Sequence, residues 1–187
     1  IYLSNIRNNC SAPALPPLCN MNSKIKKQLY TWLLYLLLFI VVMQAANWWK
    51  TRDVQKGNLS QVTGELIDGT QFSIADFAGE PVLFHFWATW CPICELENGT
   101  IQSITQDYTV ITIASWSEGE SEVKAYMREN QLTFPVMLDN SGKLAQSFGL
   151  KGVPTSFILD PNGEIRFVET GYSTEAGLRL RLWLSAL

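Results

Sequence analysis

This 187-residue sequence predicts an α/β fold: a mixed central sheet flanked by helices, with an N-terminal β-hairpin extension, preceded by one N-terminal transmembrane helix. Three observations point there. Apolar runs of strand length alternate with amphipathic segments of helix length over residues 59–187. Two strand-like runs near the C-terminus flank "PNG", a turn signal. And an uncharged eighteen-residue run, Leu29 to Ala46, stands ahead of them all.

Residues 1–20, "IYLSNIRNNCSAPALPPLCN", are polar, contain proline and lack periodicity. They are expected to be a disordered or artefactual extension upstream of a start at Met21. Residues 21–50 read as a signal anchor. Lys24, Lys26 and Lys27 precede the apolar run, and Trp48 and Trp49 follow it, where an interfacial aromatic belt belongs. Eighteen helical residues rise about 27 Å, against a hydrocarbon core of ~30 Å. The positive-inside bias keeps the N-terminus cytoplasmic and sends the rest across. A cleaved signal is the competing reading, but the run exceeds the usual ~7–15 residues and "MQAANWW" is a poor cleavage site. A buried helix of a soluble protein is the third.

Residues 51–58 form a polar tether. In "VTGELIDGTQFSIADF" the alternation breaks at Asp68-Gly69, which predicts a two-residue hairpin turn. "PVLFHFWA" is a continuous apolar run, as in a central strand covered on both faces. A helix is expected from Pro92 to about Asp107, with Ile93, Leu96, Ile101 and Ile104 on its buried side. A second buried strand follows at Thr109–Ser115. A helix over Glu118–Asn130 starts acidic and carries Arg128 near its end, in accord with its dipole. A short extended segment (Phe134–Asp139), a short helix (Gly142–Gly149), the "PNG" hairpin (Thr155–Asp160 with Glu164–Thr170) and a terminal amphipathic helix (Thr174–Leu187) complete the order.

Charge is divided unevenly. Five Lys/Arg and no acid precede Thr51; nine basic and all seventeen acidic residues follow it, for −8. An acidic body without a basic stripe argues against nucleic acid as a partner.

Of four cysteines, Cys10 and Cys19 lie before the predicted anchor, on the opposite side from Cys91 and Cys94. That isolates one CxxC in "FHFWATWCPICELE". Structural zinc needs four ligands, and the only histidine is His85. Covalent haem attachment needs histidine directly after the second cysteine, where Glu95 stands. A purely structural disulfide would close a very small loop and stabilise little. The redox reading has a mechanism: at the start of a helix Cys91 faces unpaired N–H groups that favour the thiolate, and Cys94, one turn on, is placed to resolve a mixed disulfide. Pro92 suits the first helical position, where no N–H is needed.

These residues carry a resemblance. "FWATWCPIC" resembles the active-site strand and helix start of thioredoxin-fold proteins, and "GVPTSFILDPNGEI" their cis-proline loop and hairpin. With "GELIDGTQFSIADFAGEPV" and the anchor, the chain is similar to the membrane-tethered TlpA/ResA/DsbE class of thiol–disulfide oxidoreductases. Within it, "CPICELENGTI" and "ETGYSTEAGLRLRLW" look most like the copper-sensitivity suppressor branch, ScsD.

The resemblance implies a catalytic pair with Cys91 as exposed nucleophile and Cys94 as buried resolving thiol. It implies a cis Val153–Pro154 loop that blocks metal capture and offers backbone to a client, and an exposed Trp90 beside the sulfur. Pro92 and Ile93 fill the space between the cysteines. Glu97 matches a glutamate of the class; general acid/base and solvated helix carboxylate both stay open for it. His85 stands where thioredoxin has a buried aspartate, either as a proton relay titrating near working pH or as a hydrogen-bonded core histidine. Gly99 replaces a helix-kinking proline.

The function so implied is dithiol–disulfide exchange in the periplasm, from a single-pass anchor in the bacterial inner membrane. Reduction of protein clients is favoured over oxidation, with a transmembrane or periplasmic redox partner, a link to copper stress, and no metal or organic cofactor. Three alternatives are weighed, one of them a pure interaction module with an inert disulfide, which rapid alkylation of one thiol in the reduced form would exclude. A reductant of apocytochrome c thiols would favour an acid where Thr155 stands. A copper-binding module would favour a Met- or His-rich tract, which this sequence lacks.

Overall fold

The computed structural model describes residues 23–51 and 57–187, with side chains described for 27–42 and from 57 onward. The extension expected over residues 1–20, with Cys10 and Cys19, and most of the tether lie outside the described residues. The chain divides into two units, Ile1–Asn47 and Trp48–Leu187.

The first is dominated by helix α1 (Ser23–Thr51). Every large apolar side chain from Leu29 to Val42 is exposed. The Thr31 hydroxyl is satisfied within the helix, donating to the Lys27 carbonyl at 2.9 Å. Among the described residues no helix is long and apolar enough to cross a membrane. Met43 to Ala46, the end of the predicted span, fall outside the described side chains.

In the second unit β1 (Thr63–Glu65) and β2 (Gln71–Ser73) form an antiparallel pair, followed by one 3₁₀ turn (Ile74–Phe77). Then come β3 (Val82–Trp87), α2 (Pro92–Ile104), β4 (Thr109–Ser115), α3 (Glu120–Glu129), β5 (Val136–Asp139), α4 (Lys143–Ser147), β6 (Thr155–Leu159), β7 (Ile165–Thr170) and α5 (Glu175–Ser185). The five-stranded sheet runs β5-β4-β3-β6-β7, with β3 parallel to β4 and antiparallel to β6. This is the predicted mixed sheet, in a thioredoxin-like arrangement.

All six residues of β3 are buried, because it is the middle strand with packed side chains on both faces. Its alternate residues feed two cores. Leu83 and Trp87 join Ile101 and Ile104 of α2, Leu178 and Leu182 of α5, and both cysteines. Phe84 and Phe86 face the other way, where their rings meet Phe148 and Phe157 at centroid distances of 5.3–5.8 Å.

The structure departs from expectation at three edges. The hairpin loop closes over three residues, Ile67, Asp68 and Gly69, between Leu66 N–H and the Thr70 carbonyl (2.8 Å). The tip is diverted because Ile67 N–H donates to the Val136 carbonyl at 2.7 Å, docking it on β5. Gly69 takes φ +88°, which glycine reaches freely. Strand β5 begins at Val136, since Pro135 has no N–H for the ladder. And α2 ends at Ile104, three residues before Asp107.

Gly64 of β1 is a close approach. A Cβ there would lie 2.9 Å from the Phe72 ring and overlap the Met137 sulfur. Gly64→Ala is therefore expected to lower unfolding stability by about 1–3 kcal/mol. A urea titration checks this, and an unchanged midpoint would show that the hairpin packs more loosely than described.

Candidate active site

Strand β3 ends at Trp87, and Ala88, Thr89 and Trp90 turn the chain into α2. Cys91 is the helix N-cap, in extended conformation, and its sulfur accepts the Cys94 N–H at 3.1 Å. Pro92 occupies the first turn, where its missing N–H leaves nothing unpaired. Cys91 and Cys94 are disulfide-bonded, with Cα atoms 5.2 Å apart. The Val153–Pro154 peptide is cis, and the Val153 carbonyl oxygen lies 3.7 Å from the Cys91 sulfur.

One expectation is corrected here: Cys91 is not an exposed residue. It is 4% exposed and Cys94 1%. The cause is geometric, since the sulfur is bonded to Cys94, caps the helix and sits against the Val153 carbonyl. Exposure belongs to its neighbours instead: Trp90 is 61% exposed, and Pro92 and Ile93 stand in solvent. Ile93 and Leu96 therefore lie on the outer face of α2, opposite to the buried side predicted for them.

Glu97 follows Cys94 by one turn and is 1% exposed, so its reading as a solvated helix carboxylate is overturned. One carboxylate oxygen accepts the Ser173 N–H; the other is buried without a partner among the described residues. Burial raises its pKa to about 7, against the opposing pull of that N–H.

His85 is 2% exposed, and Nδ1 shares a 2.8 Å hydrogen bond with Ser156 Oγ, its cross-strand partner on β6. Burial depresses its pKa to about 3. It is a neutral, hydrogen-bonded core histidine, and the expectation that it titrates near working pH is corrected: no compensating charge offsets the loss of water. Helix α2 runs unbroken through Gly99. Thr155, after the cis proline, is buried and donates to the Gly152 carbonyl at 3.1 Å.

Sequence reasoning missed the partners of these groups. Ser173 is 76 residues from Glu97, and Ser156 is 71 from His85. No linear spacing signals either contact. Among the described residues no group of three or more His, Cys, Asp or Glu is placed to hold a metal.

A thioredoxin-like sheet with a disulfide-bonded CxxC at the start of the helix after its central strand defines a thiol–disulfide oxidoreductase. The chain belongs to the AhpC/TSA family, whose model matches residues 57–168. It is similar to a thioredoxin-like protein of Haemophilus influenzae, 30% identical over 164 residues, covering 87% of this chain and 97% of that protein. It is also similar to sporulation thiol-disulfide oxidoreductase A of Bacillus subtilis, 30% identical over 120 residues, covering 60% of this chain and 72% of that protein. Among solved structures, StoA from Bacillus subtilis superposes with a TM-score of 0.57 at 30% identity, covering 66% of this chain and 95% of that one.

Proposed function

We propose that this chain is a membrane-tethered, periplasm-facing oxidoreductase that reduces disulfides of client proteins through Cys91 and Cys94. The observation that carries the reading is the Cys91 sulfur: an N-cap acceptor of the Cys94 N–H, bonded to a deeper cysteine and facing the cis-proline loop.

In the reduced form the helix N-terminus favours a thiolate at Cys91. That thiolate attacks a client disulfide, forming a Cys91–client bond and releasing one client thiolate. Cys94, having lost its proton, attacks the Cys91 sulfur, which re-forms the observed disulfide and expels the second client thiolate. Two electrons pass to the client, and the pair itself carries them, so no cofactor enters. A dithiol partner at or across the membrane then reduces Cys91–Cys94. Val153 and Pro154 present backbone for a client's extended segment, a form of strand addition. Trp90, with Pro92 and Ile93, shapes the contact. Glu97, buried one turn past Cys94, is the group suited to exchange a proton near neutral pH.

Attachment to the inner membrane is supported by the uncharged run with its preceding lysines, and by an α1 whose large apolar side chains from Leu29 to Val42 are exposed on every face. A role in copper tolerance rests on the resemblance of the CPIC helix and C-terminal segment to ScsD.

Equilibrating the full chain with glutathione buffers tests the direction. A potential near that of thioredoxin, about −270 mV, is expected; one near about −120 mV would reverse the assignment to an oxidant. Alkaline extraction of expressing cells tests the anchor, with the protein expected in the membrane pellet.

A further inference from the structure

The loop that carries Trp90 is held by a second loop, and one side chain grips both. Glu122, in the first turn of α3, accepts the Thr89 hydroxyl at 2.5 Å with one carboxylate oxygen and the Glu118 N–H at 2.6 Å with the other. Beside that clasp, Thr89 N–H donates to Ser117 Oγ at 3.3 Å. The Trp90 indole N–H donates to the Trp116 carbonyl at 2.9 Å.

That carbonyl is itself fixed. Trp116 has left-handed backbone (φ +55°), and its N–H donates to the Asp139 carbonyl at 3.1 Å. Its indole lies so close over Gly142 that any Cβ there would overlap the ring. The Trp116 loop is thus a rigid post, and Trp90 is an exposed indole tied to it by a single hydrogen bond of its own.

A free indole of this exposure would sample several rotamers, and ordering it on binding would cost side-chain entropy. The bond to the Trp116 carbonyl restricts that freedom in advance, and the clasp holds the two loops at the spacing the bond needs. Helix capping alone does not account for it: the bond to the Glu118 N–H is local to the start of α3, but Thr89 lies 33 residues away in sequence.

We propose that Glu122 is a positioning residue which, by clasping Thr89 and the Glu118 amide, pre-orders Trp90 as a fixed platform for client proteins. The inference rests on the reading of this site as one that exchanges disulfides with proteins. It makes no demand on the sulfur chemistry, so it separates client docking from electron transfer.

The test uses the full chain in detergent, with dithiothreitol as electron donor and two disulfide probes, insulin and the small molecule hydroxyethyl disulfide. Glu122→Ala and Thr89→Val are expected to raise KM for insulin about five- to tenfold, with kcat and the hydroxyethyl disulfide rate within about twofold of wild type. Thr89→Val removes only the long-range bond, leaves the α3 cap in place and covers the case in which Glu122→Ala fails to fold. Thr89→Ser, which keeps the hydroxyl, should restore KM.

In parallel, acrylamide quenching assigned to Trp90, as the difference from Trp90→Phe, should increase in Glu122→Ala and Thr89→Val. Unchanged quenching, or an equal loss with both probes, would overturn the inference. Should wild type exchange with neither probe, the functional reading fails, and the Trp90 quenching still decides whether the clasp orders that side chain.

Discussion

Cys94→Ser is expected to accumulate disulfide-linked adducts with client proteins, and Cys91→Ser to form none and to lose exchange activity by ~10³-fold or more. The asymmetry follows from position. The Cys91 sulfur caps α2 and faces the cis-proline loop, whereas Cys94 is the deeper of the two, at 1% exposure. With serine at 94, attack by Cys91 still forms the mixed disulfide, but nothing within reach displaces the client. With serine at 91, the remaining thiol is shielded from a protein-sized disulfide. Adducts from cells expressing each variant, separated without reductant and identified by mass, read the result directly. Adducts through Cys94 in the Cys91→Ser protein would reverse the assigned roles.

The second large effect concerns pH and stability, where two buried groups oppose each other. Glu97 has its folded pKa raised to about 7 from an ordinary 4.5. Between those values the folded chain holds a proton that the unfolded chain has released. Stability therefore falls as pH rises through that window, by roughly 3 kcal/mol in total. His85 has its folded pKa lowered to about 3 from 6.5. Between those values the unfolded chain takes a proton that the folded chain refuses, so stability rises with pH, by roughly 5 kcal/mol.

The windows overlap from pH 4.5 to 6.5, and there the two slopes largely cancel. Glu97→Gln should unmask the histidine, giving stability that climbs to about pH 6.5 and then levels. His85→Asn should unmask the carboxyl, giving stability that declines from about pH 4.5 to 7. Urea titrations of the disulfide form across pH 4–8 measure both. Subtracting variant from wild type removes exposed groups such as Asp68, whose pKa is lowered by its bonds to Thr70. Curves that run parallel to wild type would contradict the assigned burial energetics.

The active-site geometry was legible in "WCPIC" because its causes are local. A cysteine before a proline and a helical run becomes an N-cap, and the spacing of three puts the second cysteine one turn away. The exposure of Cys91 was misjudged for the complementary reason. What covers its sulfur is Val153, 62 residues on, brought there by the sheet. Ile93 and Leu96 were assigned to the buried side of α2, yet the side occupied by Cys94, Glu97 and Ile101 is the one that packs.

By itself the sequence determined the order of strands and helices, the pair of sulfurs and their place at a helix start, because period, turn residues and capping act over a few neighbouring positions. Tertiary structure alone decided the charge state of His85 and the burial of Glu97. It also decided the seating of the hairpin tip on β5 and the grip of Glu122 on the Trp90 loop. Each of these depends on which distant groups exclude water or supply a hydrogen bond, and spacing along the chain does not encode that.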